Sequence, residues 1–176
     1  RVFSFEPNKE VFKLLEINAS SVENVEPLNL GLSDTNEALK AFVEKENLSS
    51  GRITDDLDSN ELFEVQKLDN FKLDNNLGKI SYLKIDIEGH EEAALRGAKD
   101  ILISDSPVVS LEMEMTRNLT NCLSSIKILQ DCGYSKAYIL EKSFSGGSNS
   151  NFKETSIAEF KNRRPKRHKM VMFLKD

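Results

Sequence analysis

The apolar run from Ile80 to Ile87 restricts the possible folds of this chain more than any other feature of the sequence. Its near-continuous hydrophobicity is typical of a parallel β-strand that is buried on both faces. The run is followed by a glycine at position 89, then by a helical pattern and by a second apolar strand. A strand, a helix and a strand in this order predict a βαβ unit with two parallel strands.

The other segments repeat this alternation of strands and helices. Apolar residues at every second position indicate strands, and apolar residues three or four positions apart indicate amphipathic helices. These patterns predict strands at 3–6, 28–32, 39–43, 63–68, 80–87, 108–113, 134–140 and 170–174, and helices at 11–18, 91–102, 123–132 and 156–159. The polar stretch at 49–51 is interpreted as a mobile connection. Strands that alternate with helices predict the α/β class, with a doubly wound, mostly parallel sheet.

Three residues are predicted to cap helix ends, two at a start and one at a C-terminus. Asn8 follows the first strand, where its side chain can cap the next helix. Gly133 suits the C-terminal end of the helix at 123–132. Ser156, with a glutamate three positions later, suits a capping box at the start of the last short helix.

Composition limits the class of protein. The chain has 176 residues, about the size of one domain, so we assign residues 1–176 to a single domain. Its net charge of -5 excludes a generally basic nucleic-acid binder. No apolar run reaches the roughly 18 to 20 residues that a membrane span needs. Cys122 and Cys132 do not share a face of their predicted helix, so we expect no disulfide and a reducing, cytoplasmic location.

Polar side chains that follow the predicted strands are the candidate functional residues. Ligands of open α/β sheets bind beyond the carboxyl ends of the strands, which directs attention to the residues where strands stop. An acid after an early strand, such as Glu6, is well placed to accept hydrogen bonds from the hydroxyl groups of a ribose. Exposed glutamates without such a role are nevertheless common. The candidates are Glu6, Ser33, Asp34, Asp86, Glu88, His90, Glu112 and Glu114.

Asp86 and Glu88 flank Ile87 at the end of the buried strand, where two acids must either face a crevice or lose their hydration. Gly89 permits a sharp turn into the next helix. His90 then lies near the N-terminus of that helix, whose dipole lowers the pKa of the imidazole and keeps it neutral. A neutral imidazole can act as a general base toward a hydroxyl group.

Two other interpretations of this segment remain open. Glu88, Glu91 and Glu92 would also stabilise the dipole of the first helical turn without any catalytic role. Asp86 and Glu88 could hold a hard divalent ion, which would indicate a metal-dependent transferase or hydrolase. The sequence has two histidines and contains no P-loop, no serine-hydrolase elbow and no zinc-protease motif. We therefore assign no metal ligands.

Several motifs occur in a characteristic order. The sequence reads YLKIDIEGHE at 82–91 and LRGA at 95–98. It also reads FEPN at 5–8, NLGLSD at 29–34 and KLDNF at 67–71. Together these motifs closely resemble the signature of the FkbM family of methyltransferases, over most of residues 2–115.

The resemblance implies a Rossmann-like fold of the class I methyltransferase type and S-adenosylmethionine as the cofactor. By the match, Glu6 would bind the cofactor ribose. Ser33 and Asp34 would lie beside the adenine. Asp86 would lie near the methionine end and the reacting methyl group.

The resemblance also implies a small-molecule or glycan substrate that is methylated on oxygen. Glu88 and His90 would face this substrate. Asp86 or His90 could remove the proton from the acceptor hydroxyl, while Glu88 or Glu112 could hold neighbouring hydroxyl groups. The sequence does not choose between the two bases.

One part of the family pattern has no counterpart in the sequence. The first strand of the family and its glycine-rich turn should precede Phe3 and lie between the strands that end at Glu6 and Asp86. We therefore expect an N-terminally truncated piece of a longer enzyme that by itself binds the cofactor weakly or not at all. The alternative is a non-catalytic binding domain that keeps the methyltransferase fold.

Overall fold

The computed structural model describes residues 1–44, 46–54, 56, 58–113, 115, 118–142, 150–163 and 168–176. Within these ranges the strands are β1 (Val2–Phe5), β2 (Val25–Leu28), β3 (Gly31–Leu32), β4 (Ala38–Glu44), β5 (Asn47–Ile53), β6 (Glu61–Gln66), β7 (Tyr82–Ile85), β8 (Val108–Met113), β9 (Lys136–Lys142), β10 (Ser150–Ser156) and β11 (His168–Leu174). The helices are α1 (Lys9–Ala19), α2 (Leu68–Asp74), α3 (Glu91–Arg96), α4 (Lys99–Ser104), α5 (Leu119–Asp131) and α6 (Ile157–Arg163). The fold is therefore mixed α/β.

The described strands form three sheets. A two-stranded sheet pairs β1 with β2, a five-stranded sheet has the order β10-β9-β11-β8-β7, and a four-stranded sheet has the order β3-β6-β4-β5. The pairs β1–β2, β3–β6 and β7–β8 are parallel, and the other pairs are antiparallel. The doubly wound, mostly parallel sheet predicted from the sequence is not confirmed, because the sheets are mixed.

Short connections explain why some strands are antiparallel and not parallel as predicted. Only residues 45 and 46 separate β4 from β5, and parallel strands need a crossover of about a dozen residues or more. The polar stretch at 49–51, predicted to be a connection, lies inside β5, which pairs with β4 at Asn47, Arg52 and Ile53. β10 is likewise a strand that the sequence patterns do not predict. The Ser- and Gly-rich stretch at 145–150 has the composition of a loop; it lies outside the described residues except for Ser150, which begins β10.

The βαβ unit predicted around the central apolar run is confirmed. β7 and β8 are parallel, with Leu83 opposite Val109 and Ile85 opposite Leu111, and α3 and α4 lie between them in the chain. β7 is two residues shorter at each end than the predicted strand. β1 and β2 form a second parallel pair around α1. Among the described strands, β1 and β7 each stand at the end of their own sheet.

The predicted strand at 28–32 is divided between two sheets. β2 ends at Leu28 and pairs with β1, whereas β3 begins at Gly31 and pairs with β6. The predicted strand at 63–68 ends at Gln66, and Leu68 already begins α2.

The single helix predicted over 91–102 is interrupted at Gly97. A Cβ atom at Gly97 would lie 1.9 Å from the carbonyl oxygen of Ser33, so the chain approaches this helix junction too closely for any side chain. Hydrophobic periodicity does not reveal such an interruption, because the apolar positions continue on both sides of it.

Asp69 of α2 stabilises the start of α4, which begins two residues after the interruption at Gly97. Its carboxylate oxygens accept the backbone amide hydrogens of Asp100 at 3.0 Å and Ile101 at 2.9 Å. The N-cap residue of α4 itself is an alanine, which offers no side-chain acceptor. A side chain from another helix therefore caps α4.

The three predicted helix ends are confirmed. The Asn8 side chain accepts the amide hydrogens of residues 10 and 11 at the start of α1. Gly133 follows α5 with φ of +92°, and the amide of Tyr134 donates to the carbonyl of Leu129, which completes a Schellman motif. Ser156 Oγ accepts the amide hydrogen of Glu159 at 3.1 Å.

One large hydrophobic core joins the five-stranded sheet to α2, α3, α4, α5 and α6. β1 packs against it through Phe3 and Phe5, whose rings meet Phe71 of α2 edge to face at 5.3 and 5.1 Å.

Cys122 and Cys132 are both buried thiols. Among the described helices, none has the length and hydrophobicity to cross a membrane.

Candidate functional site

The turn after β7 is the most unusual segment of backbone near the candidate residues. Glu88 has φ of +53° and Gly89 has φ of +100°, so two successive residues adopt left-handed conformations. Such a conformation is uncommon for a glutamate and is often found where a side chain must be aimed. Asp86 is exposed and forms an ion pair with Lys84 at 2.9 Å.

The turns after β3 and after β7 meet through Ser33 and His90. Ser33 Oγ lies 2.9 Å from His90 Nε2, although 57 positions separate the two residues. Ser33 Oγ also lies 3.4 Å from Asp34 Oδ1. The structure thus brings together three of the predicted site residues from two separate motifs. Ser33 is fully buried, which restricts its hydroxyl group to these neighbours.

Burial lowers the pKa of His90 below its ordinary value of 6.5. The negative charges of Asp34 and Glu91 oppose the shift without cancelling it. The sequence predicts a lowered pKa from the helix dipole. The direction is confirmed, but the largest cause is the loss of hydration around the half-buried ring.

Protonation of the His90 imidazole should make the free energy of unfolding depend on pH. Between the lowered pKa of the folded protein and 6.5, the unfolded chain binds more protons, so the free energy of unfolding should decrease as pH falls through this range. His90→Gln should remove that part of the dependence. NMR titration of the imidazole should place its midpoint below 6.5, and a midpoint at or above 6.5 would contradict the buried neutral ring.

The turn after β1 holds Glu6. Glu6 Oε1 accepts the amide hydrogen of Asn8 at 2.8 Å, and the Asn29 side chain donates to the carbonyls of Glu6 and Pro7 at 2.9 and 3.1 Å. Burial raises the pKa of Glu6 above 4.5, and the hydrogen bond from Asn8 limits the rise. The carboxylate is therefore held close to the backbone of its own turn.

This turn packs against the strand that leads to Ser33. A Cβ atom at Gly31 would lie 3.3 Å from Pro7 Cβ, so the Glu6–Pro7 segment lies directly beside β3. Ser33 comes two residues later and contacts His90. The turns after β1, β3 and β7 are therefore linked in series by direct contacts.

The remaining predicted site residues are less informative. Glu112 lies near the end of β8 and is half-buried. Glu114 lies outside the described residues.

Two residues outside the predicted site hold the turn after β7. Glu91 Oε1 accepts the amide hydrogens of Ile87 at 3.3 Å and Gly89 at 3.0 Å. Asn121 of α5 donates to the Gly89 carbonyl at 2.8 Å. Glu91 is only 6% exposed, which sequence cannot distinguish from the exposure of its neighbour Glu92. No sequence signal indicates Asn121.

The described residues contain no group of three or more histidines, cysteines and acids arranged to hold a metal ion. A groove of about 600 Å³ lies between α3, α5 and α6, and none of the predicted site residues lines it. The candidate site is therefore defined by the linked turns and not by this groove.

Comparisons with known proteins agree with the motif resemblance. The sequence profile described as the methyltransferase FkbM domain matches residues 1–136. The crystal structure of methyltransferase FkbM from Methylobacillus flagellatus KT is similar, with a TM-score of 0.56 and 13% sequence identity. The similarity covers 98% of this chain and 36% of that protein, and at this identity it shows the fold alone. No curated protein matches the sequence. Because the profile covers well over half of its residues, the chain belongs to the FkbM methyltransferase family.

Proposed function

We propose that the protein is an S-adenosylmethionine-dependent methyltransferase that acts on a hydroxyl oxygen of a sugar, a glycan or a small natural product. Membership of the FkbM family supports the reaction class. The contact between Ser33 and His90 carries the proposal furthest. It joins the turn expected beside the adenine to the turn expected near the reacting methyl group. We also propose that residues 1–176 form one domain.

The residues present fit such a cofactor. One amide hydrogen occupies Glu6 Oε1, and a carboxylate with two oxygens can accept further hydrogen bonds from ribose hydroxyls. The acids Glu6, Asp34, Asp86 and Glu88 would also complement a positively charged sulfonium. The cofactor, when bound, supplies an activated methyl group, so the protein has mainly to align and deprotonate the acceptor.

We assign distinct roles to the two residues that meet between the turns. Asp34 would border the adenine, whereas Ser33 would act through His90, because its buried hydroxyl already contacts that ring. Because His90 Nε2 is engaged in this contact, we favour Asp86 as the group that removes the proton from the acceptor. Glu88 and Glu112 would hold neighbouring hydroxyl groups of the substrate.

Cofactor binding tests the proposal. Isothermal titration calorimetry with S-adenosylmethionine, on the protein as its gene encodes it, should show saturable binding. Glu6→Gln should weaken the affinity about tenfold or more, since it replaces charged hydrogen bonds to hydroxyls with neutral ones. Glu10→Gln is the matched control, because Glu10 is exposed on α1 and pairs with Lys13.

Two results would overturn the proposal. Absence of saturable binding by the wild-type protein would exclude a cofactor-dependent enzyme. Equal affinities of the Glu6 and Glu10 variants would remove Glu6 from the site. Transfer of a labelled methyl group to hydroxylated acceptors, compared with amine acceptors, would then test the preference for oxygen.

A further inference from the structure

The left-handed backbone at Glu88 and Gly89 needs something to hold it. A left-handed conformation is unfavourable for a residue other than glycine, and it persists where the surrounding contacts fix it. This turn carries Asp86 and Glu88, the two acids that the proposed function places nearest to the reaction. The contacts that hold the turn therefore also set the backbone positions from which the Asp86 and Glu88 side chains extend.

Glu91 provides the first of these contacts. It is the first residue of α3, and its side chain reaches back so that Oε1 receives the amide hydrogens of Ile87 and Gly89. Its burial would be costly without such donors, because a carboxylate loses hydration when it leaves water. The two donors flank Glu88, so one carboxylate spans the strained residue.

Asn121 provides the second contact from another part of the chain. Its side-chain amide donates to the Gly89 carbonyl at 2.8 Å, whereas Glu91 accepts the Gly89 amide hydrogen. Ser125 lies 3.5 Å from Asn121 Oδ1, one helical turn later in α5. A Cβ atom at Gly89 would also lie 3.0 Å from the Asn118 side chain, so α5 restricts the turn sterically as well.

We propose that Glu91 is a positioning residue that holds the 86–89 turn in its left-handed conformation and thereby sets where Asp86 and Glu88 act. Asn121 is the second support of the same turn. The inference rests on the proposed function for its catalytic consequence, and on the hydrogen bonds alone for its structural consequence. It assigns Glu91 a role that differs from stabilising the helix dipole, which Glu92 on the same helix can also do.

The test compares Glu91→Ala and Glu91→Gln with Glu92→Gln. Glu92 forms an ion pair with Arg96 on the same short helix, so its variant controls for loss of charge near the helix start. Amide hydrogen exchange followed by NMR should show Gly89 exchanging at least tenfold faster in Glu91→Ala than in wild type or Glu92→Gln. Affinity for S-adenosylmethionine should fall at least tenfold in Glu91→Ala. Glu91→Gln keeps an acceptor oxygen and should restore part of both properties.

The outcomes separate this inference from the proposed function. Unchanged Gly89 exchange in both Glu91 variants would overturn the inference. If the wild type binds the cofactor, an equal affinity of Glu91→Ala would also overturn it. If the wild type bound no cofactor, the proposed function would fail, while Gly89 exchange would still decide whether Glu91 holds the turn. Should Glu91→Ala not fold, Glu91→Gln and Asn121→Ala provide the same comparison, with faster Gly89 exchange expected in each.

Discussion

Gly97→Ala is expected to lower the free energy of unfolding by about 3 kcal/mol or more, at the upper end of the usual cost of overpacking. The added Cβ atom would lie 1.9 Å from the Ser33 carbonyl oxygen, 2.9 Å from the Ser33 carbonyl carbon and 3.3 Å from Lys67 Cα. All three are backbone atoms, so no side-chain rotation can relieve the collision. Urea denaturation followed by circular dichroism would measure the loss.

The same substitution should also disturb the candidate site. The Ser33 carbonyl belongs to the turn that contacts His90, so a shift of this turn should separate Ser33 Oγ from His90 Nε2. Gly78→Ala is the matched control, because a Cβ atom there would have no atom within 4 Å apart from those of its own residue and its two chain neighbours. Its stability should equal or slightly exceed that of wild type. Equal unfolding free energies for the two alanine variants would refute the close approach at Gly97.

Asp105→Ala is the second substitution with a large expected effect, a loss of about 3 kcal/mol. Asp105 Oδ2 accepts hydrogen bonds from Lys72 Nζ at 2.6 Å and from the Ile80 amide at 2.7 Å. Both Lys72 and Asp105 side chains are largely buried, so removal of the acid leaves an ammonium and an amide without their acceptor. Thermal and urea unfolding of the variant would measure the cost.

An exposed ion pair supplies the control for Asp105. Lys127 and Asp131 lie 2.5 Å apart on α5, with both side chains more than half exposed. Asp131→Ala should therefore change the unfolding free energy by less than about 1 kcal/mol. If both alanine variants lost the same stability, burial would not distinguish the two pairs.

The contribution of Asp105 should also disappear in acid. Burial raises the pKa of this carboxyl, but hydrogen bonds from Ile80, Lys72 and Ser104 outweigh burial and hold it below 3.8. A depressed carboxyl pKa contributes stability that is complete above 3.8 and is lost as pH falls through the lower value of the folded protein. The difference in stability between wild type and Asp105→Asn should therefore narrow below about pH 4.

The sequence predicted the local features of the candidate site. An apolar strand that ends between two acids and is followed by a glycine favours a sharp turn, and the turn at Gly89 is confirmed with φ of +100°. The motif order also identified the family, which the profile match over residues 1–136 confirms. Helix ends at Asn8 and Gly133 were predictable because capping depends on residues close together in the chain.

The residues that form hydrogen bonds with these turns and helix ends could not be predicted from the sequence. A fully buried glutamate and a partly exposed one look alike in sequence, and only the structure shows that Glu91 and not Glu92 binds the turn amides. Likewise, Asp69 reads as an ordinary residue of a short helix until its carboxylate is seen capping α4. In each contact, a carboxylate accepts hydrogen bonds from backbone amides. Whether those amides lie within reach depends on the tertiary structure.

By itself, the sequence determined the parallel βαβ unit around β7, the capped helix ends at Asn8 and Gly133 and the turn at 86–89, because each depends on residues that are close together in the chain. The order of its motifs also identified the family. The tertiary structure alone decided the division into three sheets, two of them mixed, the interruption at Gly97 and the contact of Ser33 with His90 across 57 positions. Strand pairing and close approach depend on which backbone surfaces come into contact. Hydrophobic periodicity reports that a residue is buried, but it does not report which other segment buries it.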